Sequence, residues 1–578
     1  MCGIAGILHT RGVRAVDTAG LERMAGALAH RGPDGHGVWS DGPIGLAHRR
    51  LAIIDLAGGR QPMVSRVTGA ALTFNGEIYN FRDLRGELQA LGAGFDEQSD
   101  TEVVLRAYEH WGDRCVDHLR GMFAFAVWDP RTRRLFAARD RLGIKPFYYG
   151  WDGDTLVFAS EMKAVAALRG VPLEVDDAAF ESYLRLQYVP APGTFVRGLR
   201  HLQPGRTLTV GADGRLREDR YWEPKAAART PRSDVDEFRL RMADAVKSHL
   251  VADVPVGALL SGGVDSSLIV AHMSAQATQP VHTFSIGFEG GQRFDERAGA
   301  RDVAGRFRTI HHERLVTDED AVAGLPAIVS RMDEPLADYA ALPTFFVSEV
   351  AARTVKVILT GEGADELFGG YRRYRTERLL APFSWARRPY QATHLFNNRE
   401  IRRLLGTATR PGLRGAFDTA GADPVNRACA RDIEGWLADD LLVKVDRMTM
   451  LCSLEARVPY LDHPFVEFAL GVPGHRKIGL LGGARKMLLR EAAAELLPPE
   501  ILHRPKHGFT PPIDAWLRGR LGSLAREVLL QASSRLSLRV DRREIEALLA
   551  GQARGRRNGH KIWSLLVYEL WSRHHAAA

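Results

Sequence analysis

The chain has 578 residues, of which 45% are hydrophobic and 26% charged, and its formal net charge is +8. This length predicts several domains, since single cores rarely grow beyond about 250–300 residues. The sequence has no long apolar run, no secretory signal and no CxxC pairing among its four cysteines (Cys2, Cys115, Cys429 and Cys452), which disfavours a membrane protein, a disulfide framework and a zinc site and favours a cytoplasmic protein.

The region up to residue 210 is expected to combine antiparallel strands with helices. The segment "MFAFAVWDPRTRRLFAARD" predicts a strand, a turn and a second strand. The segment "PFYYGWDGDTLVFAS" repeats this pattern around an Asp-Gly turn. A helix is predicted over "SDTEVVLRAYEHWG", which Ser99 or Asp100 caps and Gly112 ends. The pattern indicates an α+β domain.

The chain begins with "MCGIAGIL", which places a cysteine directly after the initiator methionine. Once that methionine is removed, Cys2 carries a free α-amine with an ordinary pKa of about 7.7–8.0, which suits a general base. The thiol beside that amine is a strong nucleophile once it is deprotonated. An isolated cysteine at position two has no function in most proteins, so Cys2 needs support from the rest of the domain.

The organisation of the sequence changes between residues 190 and 232. The segment "EPKAAARTPRS" is typical of a linker between domains. After it, the short apolar strands "VPVGALL", "PVHTFSIGF" and "VKVILT" alternate with helical stretches, which predicts a parallel sheet. The last third is predicted to be mostly helical, and the terminal "HHAAA" is expected to fray.

The segment "LLSGGVDSS" (259–267) is the strongest single motif. A strand ends at Leu260, two glycines turn the chain, and a helix begins, so that backbone N–H groups form a cradle for an anion. Asp265 would repel a phosphate unless a cation lies between them, which predicts Mg²⁺. The motif resembles the pyrophosphate loop of the ATP pyrophosphatases. An ordinary glycine turn is the simpler alternative.

A second loop, "TGEGADELFGGY" (360–371), follows the apolar strand "VKVILT". Its carboxylates Glu362, Asp365 and Glu366 repel one another unless a metal or a cationic group is near. The alternative is a solvated acidic loop, which is uncommon directly after a buried strand.

Several motifs occur in order before residue 210: "CGIAGI", "HRGPDG", "HRRLAIID", "FNGEIYN" and "QSDTEV". Together they resemble the class II glutamine amidotransferase domain. With "KVDRMTMLCSLEARVPYLDH" (444–463) and "RKMLLREA" (485–492), the whole chain resembles the glutamine-hydrolysing asparagine synthetases. The resemblance implies an αββα N-terminal-nucleophile hydrolase sandwich over 1–210 and a linker over 211–233. An α/β ATP-pyrophosphatase domain with a parallel sheet and a helical C-terminal part is expected over 234–578.

The resemblance implies roles for six residues of the first domain. Cys2 matches the nucleophile that attacks the side-chain amide of glutamine. Asn75 and Gly76 match the oxyanion hole, which stabilises each tetrahedral intermediate. The residues that match the glutamine-binding positions are Arg50 for the carboxylate and Glu77 and Asp100 for the ammonium, together with Asn75 and Gly76.

The resemblance also implies the synthetase residues. Positions that match ATP contacts are Leu259, Ser261, Gly262, Gly263, Asp265, Ser266, Ser267, Ile286, Thr360 and Gly361. Asp265 and Asp365 match Mg²⁺ ligands, and Glu362 matches a glutamate used when ammonia attacks the adenylate. Lys486, predicted on a helix, matches a lysine that lies near the phosphates.

The expected reaction is the amidation of a carboxylate through an acyl-adenylate, with L-aspartate as the expected acceptor. In "MDEPLADYAALPT" (332–344), Tyr339 stands where the family usually has a small polar residue or an arginine. This departure leaves open a different carboxylate from a sugar, peptide or natural-product pathway.

Two other functions are kept as alternatives. The first is nucleic-acid modification, which the basic stretch "GQARGRRNGHK" (551–561) and a persulfide relay at Cys429 or Cys452 would favour. Cys452 is expected inside a helix and buried. The second is a non-catalytic or ring-closing relative. The partners expected are small molecules (glutamine, ATP and a carboxylate), with no nucleic acid and no membrane, and a homodimer is open.

Overall fold

The computed structural model describes residues 2–11, 14–170, 173–227, 232–289, 295–380, 395–406, 423–480, 484–504 and 511–576. Its strands are β1 (Gly3–His9), β2 (Gly35–Asp41), β3 (Ile44–Arg50), β4 (Met63–Val64), β5 (Ala71–Ile78), β6 (Gly121–Asp129), β7 (Arg134–Arg139), β8 (Tyr148–Trp151), β9 (Thr155–Ala159), β10 (Leu199–His201), β11 (Arg206–Val210), β12 (Leu216–Arg220), β13 (Val256–Leu259), β14 (His282–Phe288), β15 (Ile310–Val316), β16 (Val357–Leu359) and β17 (Glu455–Arg457).

The helices up to the middle of the chain are α1 (Thr18–Ala27), α2 (Phe81–Ala90), α3 (Asp100–Trp111), α4 (Cys115–His118), α5 (Met162–Arg169), α6 (Asp177–Leu186), α7 (Asp234–His249), α8 (Val264–Gln276), α9 (Arg297–Phe307), α10 (Asp318–Arg331), α11 (Ala341–Ala351) and α12 (Ala364–Phe368). Those that follow are α13 (Arg372–Leu380), α14 (Asn398–Leu405), α15 (Pro424–Asp432), α16 (Leu442–Met450), α17 (His463–Gly471), α18 (Gly474–Lys477), α19 (Met487–Ala493), α20 (Pro499–Leu502), α21 (Ile513–Trp516), α22 (Arg520–Leu530), α23 (Arg542–Ala553) and α24 (Gly559–His575).

Two six-stranded antiparallel sheets form the first half of the chain. Their strand orders are β10-β8-β9-β1-β3-β2 and β12-β11-β7-β6-β5-β4. Residues from both sheets, such as Leu46 and Leu208, bury their side chains in one cluster between the sheets. Helices α2 and α3 cover the outer face of the second sheet, and α1 and α5 cover that of the first. This is the predicted αββα sandwich.

Local signals explain the helix that begins at Asp100. The Ser99 hydroxyl accepts a hydrogen bond from the backbone N–H of Glu102, which is an N-terminal cap. Gly112 ends the helix at φ 58°, a conformation that favours glycine. The cap places Asp100 in the first turn, next to the end of β5.

Strand β12 lies inside residues 211–233, which the sequence predicts as a linker. It pairs with β11 in antiparallel register, Arg206 opposite Arg220, and so forms the edge of the second sheet. The first sandwich therefore extends past residue 210.

The second half contains a five-stranded parallel sheet in the order β15-β14-β13-β16-β17. From β13 the chain moves to β14 and β15 on one side and later returns to β16 and β17 on the other. The strand order thus switches between β13 and β16, and ligands of open parallel sheets bind at the carboxyl ends of strands at such a point. Both glycine-rich loops, 260–267 and 360–371, lie there.

Helices form most of the last third, and α24 is buried against α10, α21, α22 and α23. Of the terminal "HHAAA", the described residues 574–576 do not fray: α24 continues to His575, and Ala576 forms a bridge with Leu173. The last two residues lie outside the described part of the chain. Within the described parts of the chain, no helix has both the length and the apolar character that a membrane crossing requires.

Candidate active sites

The predicted nucleophile, Cys2, lies immediately before β1, in the middle of the first sheet. Cys2 is buried, and its backbone nitrogen donates to Oδ1 of Asn75 at 2.9 Å. Burial raises the pKa of the Cys2 thiol, because a thiolate loses solvation there. A neighbouring base is therefore needed to deprotonate this thiol near neutral pH.

Asn75 is positioned by β5, on the sheet that faces β1. Since Oδ1 of Asn75 accepts from Cys2, its amide orientation is set, and Nδ2 is left as a fully buried donor with no hydrogen-bond partner in the described residues. A buried donor without a partner is costly unless a ligand accepts from it. The next residue, Gly76, has no room for a side chain, because a Cβ there would lie 2.3 Å from the backbone oxygen of Met122.

Two buried carboxylates follow, Glu77 at the end of β5 and Asp100 at the start of α3. Burial raises the pKa of both, to about 6 for Asp100, and the negative charge of Asp100 adds to the effect on Glu77. The backbone N–H of Ile78 donates to Asp100 at 3.0 Å and holds it beside β5. This pair of carboxylates offers excess negative charge to an ammonium group.

Arg50 lies at the end of β3, half-buried. One terminal nitrogen donates to the backbone oxygens of Ile54 and Asp55 at 3.2 and 2.6 Å. The other guanidinium nitrogens have no hydrogen-bond partner in the described residues, so they are available to a carboxylate.

The second half contributes β17 to this site. Arg457, which is fully buried, lies 3.4 Å from Oε1 of Glu77 and 2.6 Å from Glu455 on the same strand. Burial and the negative charge of Glu455 are the two largest causes that raise the pKa of Glu77. The carboxylate pocket is thus formed jointly by the two halves.

In the second half, the loop after β13 turns back on itself. The hydroxyls of Ser261 and Ser266 lie 3.0 Å apart, and the Gly263 N–H donates to Ser261 at 3.3 Å. Gly262 has φ +74°, and a Cβ there would lie 2.4 Å from the backbone of Gly299. The Ser267 hydroxyl is buried with no partner in the described residues, as expected for a group that waits for a ligand.

The two predicted metal ligands are brought together by Lys486. Its ammonium lies 2.5 Å from Asp265 and 2.8 Å from Asp365. Burial lowers the pKa of Lys486, but the two carboxylates outweigh this effect and raise it to about 12, so the lysine is charged. The sequence predicts Lys486 on a helix, and this prediction is wrong. Lys486 immediately precedes α19 and has φ 54°.

The loop after β16 lies against the loop after β13. A Cβ on Gly361 would be 3.3 Å from Asp265, and a Cβ on Gly370 would overlap Asp365. Thr360 is buried at the end of β16, and its backbone N–H donates to the oxygen of Arg457 at 2.9 Å. Leu259 and Ile286 lie on the neighbouring strands β13 and β14, half-buried and buried.

The carboxylates of this site fit Mg²⁺ with phosphate ligands. Oδ1 of Asp265 is buried with no hydrogen-bond partner in the described residues, which is an acceptor left for a hard cation. The described residues contain no group of three or more His, Cys, Asp or Glu side chains that would hold a metal alone. Mg²⁺ is commonly held by one or two carboxylates together with substrate phosphates, so a pair of aspartates is sufficient.

Glu362 faces a lysine on α16. Lys444 lies 3.7 Å from Glu362 and 3.3 Å from Asp338, and burial does not prevent these charges from raising its pKa. Glu366, the third carboxylate of this loop, is buried and has no described contact with Lys444. Burial raises the pKa of Glu366 to about 7, and it accepts from Tyr371 at 2.7 Å.

The predicted acceptor segment 332–344 is anchored by its first two carboxylates. Asp333 accepts from the backbone N–H groups of Met162 and Lys163 at 2.8 Å each. Burial raises the pKa of Glu334 to about 7, and the Tyr148 hydroxyl donates to it at 2.9 Å. Tyr339 is half-buried, with its ring 4.6 Å from the ring of His560. Tyr339 therefore packs against the last helix.

The thiols required by a persulfide relay are not activated. Burial raises the pKa of Cys429 and of Cys452 to about 12. Cys452 lies two residues after α16 and is half-buried, rather than buried within a helix as predicted. The exposed arginines of 551–561 lie between α23 and α24.

Among the charged residues to which the sequence assigns no role are Arg31, Lys444, Glu455 and Arg457. All four are buried or nearly so, and all lie within motifs that carry the family resemblance. Charged residues within such motifs are a usable signal once burial is known, since such side chains are rarely buried without a partner.

Comparison with known proteins gives the following matches. The family described as asparagine synthase matches residues 237–573, and the glutamine amidotransferase domain matches residues 1–222. Asparagine synthetase [glutamine-hydrolyzing] 1 of Bacillus subtilis is 34% identical over 615 residues, covering 99% of this chain and 96% of the relative. A putative asparagine synthetase [glutamine-hydrolyzing] of Mycobacterium bovis is 36% identical and covers 99% of this chain and 97% of its own length. A solved glutamine PRPP amidotransferase from B. subtilis, complexed with ADP and GMP, covers 55% of this chain and 66% of its own at 17% identity and a TM-score of 0.29.

Proposed function

Because this chain belongs to the family of glutamine-hydrolysing asparagine synthetases, we propose that it converts L-aspartate, L-glutamine and ATP into L-asparagine, L-glutamate, AMP and diphosphate. The observation that carries the proposal is the hydrogen bond from the backbone nitrogen of Cys2, which becomes the N-terminal amine once Met1 is removed, to Asn75 of the predicted oxyanion hole. It occurs in a chain whose second half has a serine- and glycine-rich loop at the switch point of a parallel sheet.

In the first step, the thiolate of Cys2 attacks the side-chain carbonyl carbon of glutamine. After removal of Met1, the nitrogen that donates to Asn75 is an amine, and its lone pair accepts the thiol proton. The negative oxygen that develops is stabilised by Nδ2 of Asn75 and the N–H of Gly76. Ammonia leaves with that proton, and water hydrolyses the resulting thioester to glutamate and free thiol.

The glutamine is held at its zwitterionic end. We assign the free nitrogens of Arg50 to its carboxylate and the pair Glu77 and Asp100 to its ammonium, since these are the complementary charges near the nucleophile. Binding of the ammonium offsets the burial and the charge repulsion that raise the pKa of both carboxylates.

In the second half, a carboxylate oxygen of aspartate attacks the α-phosphorus of ATP, and diphosphate leaves. The loop 261–267 offers backbone N–H and hydroxyl donors to the phosphates, and Lys486 offers a positive charge. When bound, Mg²⁺ would be held by Asp265 and Asp365 and would neutralise the diphosphate. Ammonia then attacks the acyl carbon, Glu362 accepts a proton, and AMP leaves.

The decisive test is a product analysis with glutamine labelled with ¹⁵N at its amide, ATP, Mg²⁺ and aspartate. The expected result is labelled asparagine with equal amounts of AMP and diphosphate. Their absence with aspartate would contradict the proposal, and AMP formation with another carboxylate would favour the alternative acceptor.

We also propose a cytoplasmic location and a division of the chain after β12, within the last part of the predicted linker 211–233. The two family matches, which end at 222 and begin at 237, support the division. The four cysteines are free in the structure, which is compatible with a reducing compartment. Glutamine, ATP and a carboxylate are the proposed small-molecule partners.

A further inference from the structure

A buried arginine connects the nucleophilic residue to a helix of the second half. Nε of Arg31 donates to the backbone oxygen of Cys2 at 3.0 Å. The two terminal nitrogens of Arg31 donate to the carboxylate of Asp446 at 2.8 and 3.1 Å. Asp446 belongs to α16, so a carboxylate of one half holds the arginine that contacts the nucleophilic residue of the other.

The contact between Arg31 and Asp446 is suited to fix the position of the Arg31 side chain. Arg31 is 0% exposed and Asp446 5% exposed, and the pair has the two-pronged geometry that gives arginine–carboxylate contacts their directional strength. Burial alone would raise the pKa of Asp446, but the Arg31 guanidinium lowers it below its ordinary value. Asp446 is therefore ionised at neutral pH.

No other described carboxylate duplicates this contact. Glu161 of the first half accepts from one terminal nitrogen of Arg31 at 2.8 Å. Glu161 is shared, however, with His30, Lys163 and Arg447. Without Asp446, Arg31 would keep one bond to a carboxylate that three other groups also occupy, and its orientation would loosen.

We propose that Asp446 is a positioning residue for the hydrolysis of glutamine, acting through Arg31 on Cys2. This inference rests on the proposed role of Cys2 as the nucleophile. Because Asp446 lies outside the predicted glutamine contacts, its loss changes turnover rather than binding. The first half of the chain thus needs a residue of the second half for its own chemistry.

The test compares two full-length variants, Asp446→Asn and Asp462→Asn. Asp462 is the matched control: it is a buried carboxylate of the second half that accepts from Arg120 of the first half through two nitrogens, at 2.9 and 2.6 Å. It has no described contact with Cys2 or Arg31. Both substitutions therefore remove one buried carboxylate that joins the two halves.

For Asp446→Asn, the expected kcat of glutamine hydrolysis falls about 10- to 100-fold, since small misplacements of reacting groups have effects of this size. The KM for glutamine and the synthesis of asparagine from ammonium chloride are expected to be unchanged. For Asp462→Asn, the kcat of glutamine hydrolysis is expected to match that of the wild type. Alkylation of the N-terminal peptide, followed by mass spectrometry, should slow for Asp446→Asn alone.

Two results would overturn the inference. One is an unchanged kcat for glutamine hydrolysis in Asp446→Asn. The other is an equal loss of the glutamine-dependent and ammonia-dependent reactions together with new alkylation of buried Cys115 and Cys429, which would indicate a purely structural role. A wild-type protein that does not hydrolyse glutamine would instead contradict the proposed function, so the two failures are distinguishable.

Discussion

The two predicted sites of this chain differ in where their residues come from. The site around Cys2 includes contacts from the second half, namely Glu455, Arg457 and Asp446. The contacts described around the loops at 260–267 and 360–371 come from the second half itself. The second site is therefore expected to tolerate damage to the first more readily than the first tolerates damage to the second.

The largest expected effect comes from Cys2→Ala. It should reduce glutamine-dependent synthesis by at least about 10⁴-fold, the size seen when a catalytic nucleophile is removed. Synthesis from ammonium chloride should persist, because the second site does not use the thiol. Asparagine and AMP formation with each nitrogen source provide the measurement. Loss of both activities would show that the second site also depends on Cys2.

The next effect is that of Lys486→Met, which removes the positive charge between Asp265 and Asp365. The formation of AMP should fall about 10²- to 10³-fold with either nitrogen source, as for other losses of transition-state charge stabilisation. Glutamine hydrolysis without ATP serves as the internal control and should stay near the wild-type rate. If hydrolysis falls equally, the two sites are less separate than the contacts indicate.

A smaller effect is expected from a change of pH, which should alter the use of glutamine at the first site but not the second site. Burial raises the pKa of Asp100 to about 6 in the free protein, and only the ionised carboxylate attracts the glutamine ammonium. The kcat/KM for glutamine should therefore decline more steeply as pH falls below about 6, by up to about one further factor of ten per pH unit beyond the decline caused by protonation of the Cys2 amine. Ammonia-dependent synthesis, corrected for the fraction of free ammonia, provides the comparison. In Asp100→Asn this steeper branch of the profile should disappear, and its persistence would assign it to another group.

The smallest effect is that of Asp244→Ala, which removes a contact between the halves at the protein surface. Asp244 lies 2.7 Å from Arg120, but its side chain is 56% exposed. Such pairs contribute about 0–1 kcal/mol to stability. Thermal unfolding should change little, and both activities should match the wild type. A large loss of thermal stability or of either activity would mean that surface contacts also hold the two halves together.

Elements with local signals could be predicted from the sequence. The helix after Ser99, the two hairpins of the first half and the strand–loop–helix at 256–276 were all predicted, because caps, turns and apolar runs lie within a few residues of each other. Cys2 was proposed as a nucleophile from the chemistry of an N-terminal cysteine, and Asn75 as its oxyanion partner from the resemblance; both roles stay predictions. The structure adds that Asn75 contacts Cys2 directly.

Features that depend on distant parts of the chain could not be predicted. Strand β12 is a separate case: it pairs with its immediate neighbour β11, but it is polar and shows no buried face, so its pattern resembles that of a linker. Ala576 is ordered by Leu173, far away in the sequence. Glu77 and Asp100 could be predicted from the resemblance as candidate ligands of the glutamine ammonium, whereas the contact of Glu77 with Arg457 on β17 depends on how the halves meet.

Strand β17 is three residues long and serves both halves. Its backbone oxygen at Arg457 accepts from Thr360, beside the loop of the second site, while the side chain of Arg457 reaches Glu77 in the first. Hybrids that join the first half of one relative to the second half of another would separate Glu77 from the strand with which it evolved. Recombination between such genes is therefore expected to succeed when residues 455–457 are inherited together with the N-terminal half.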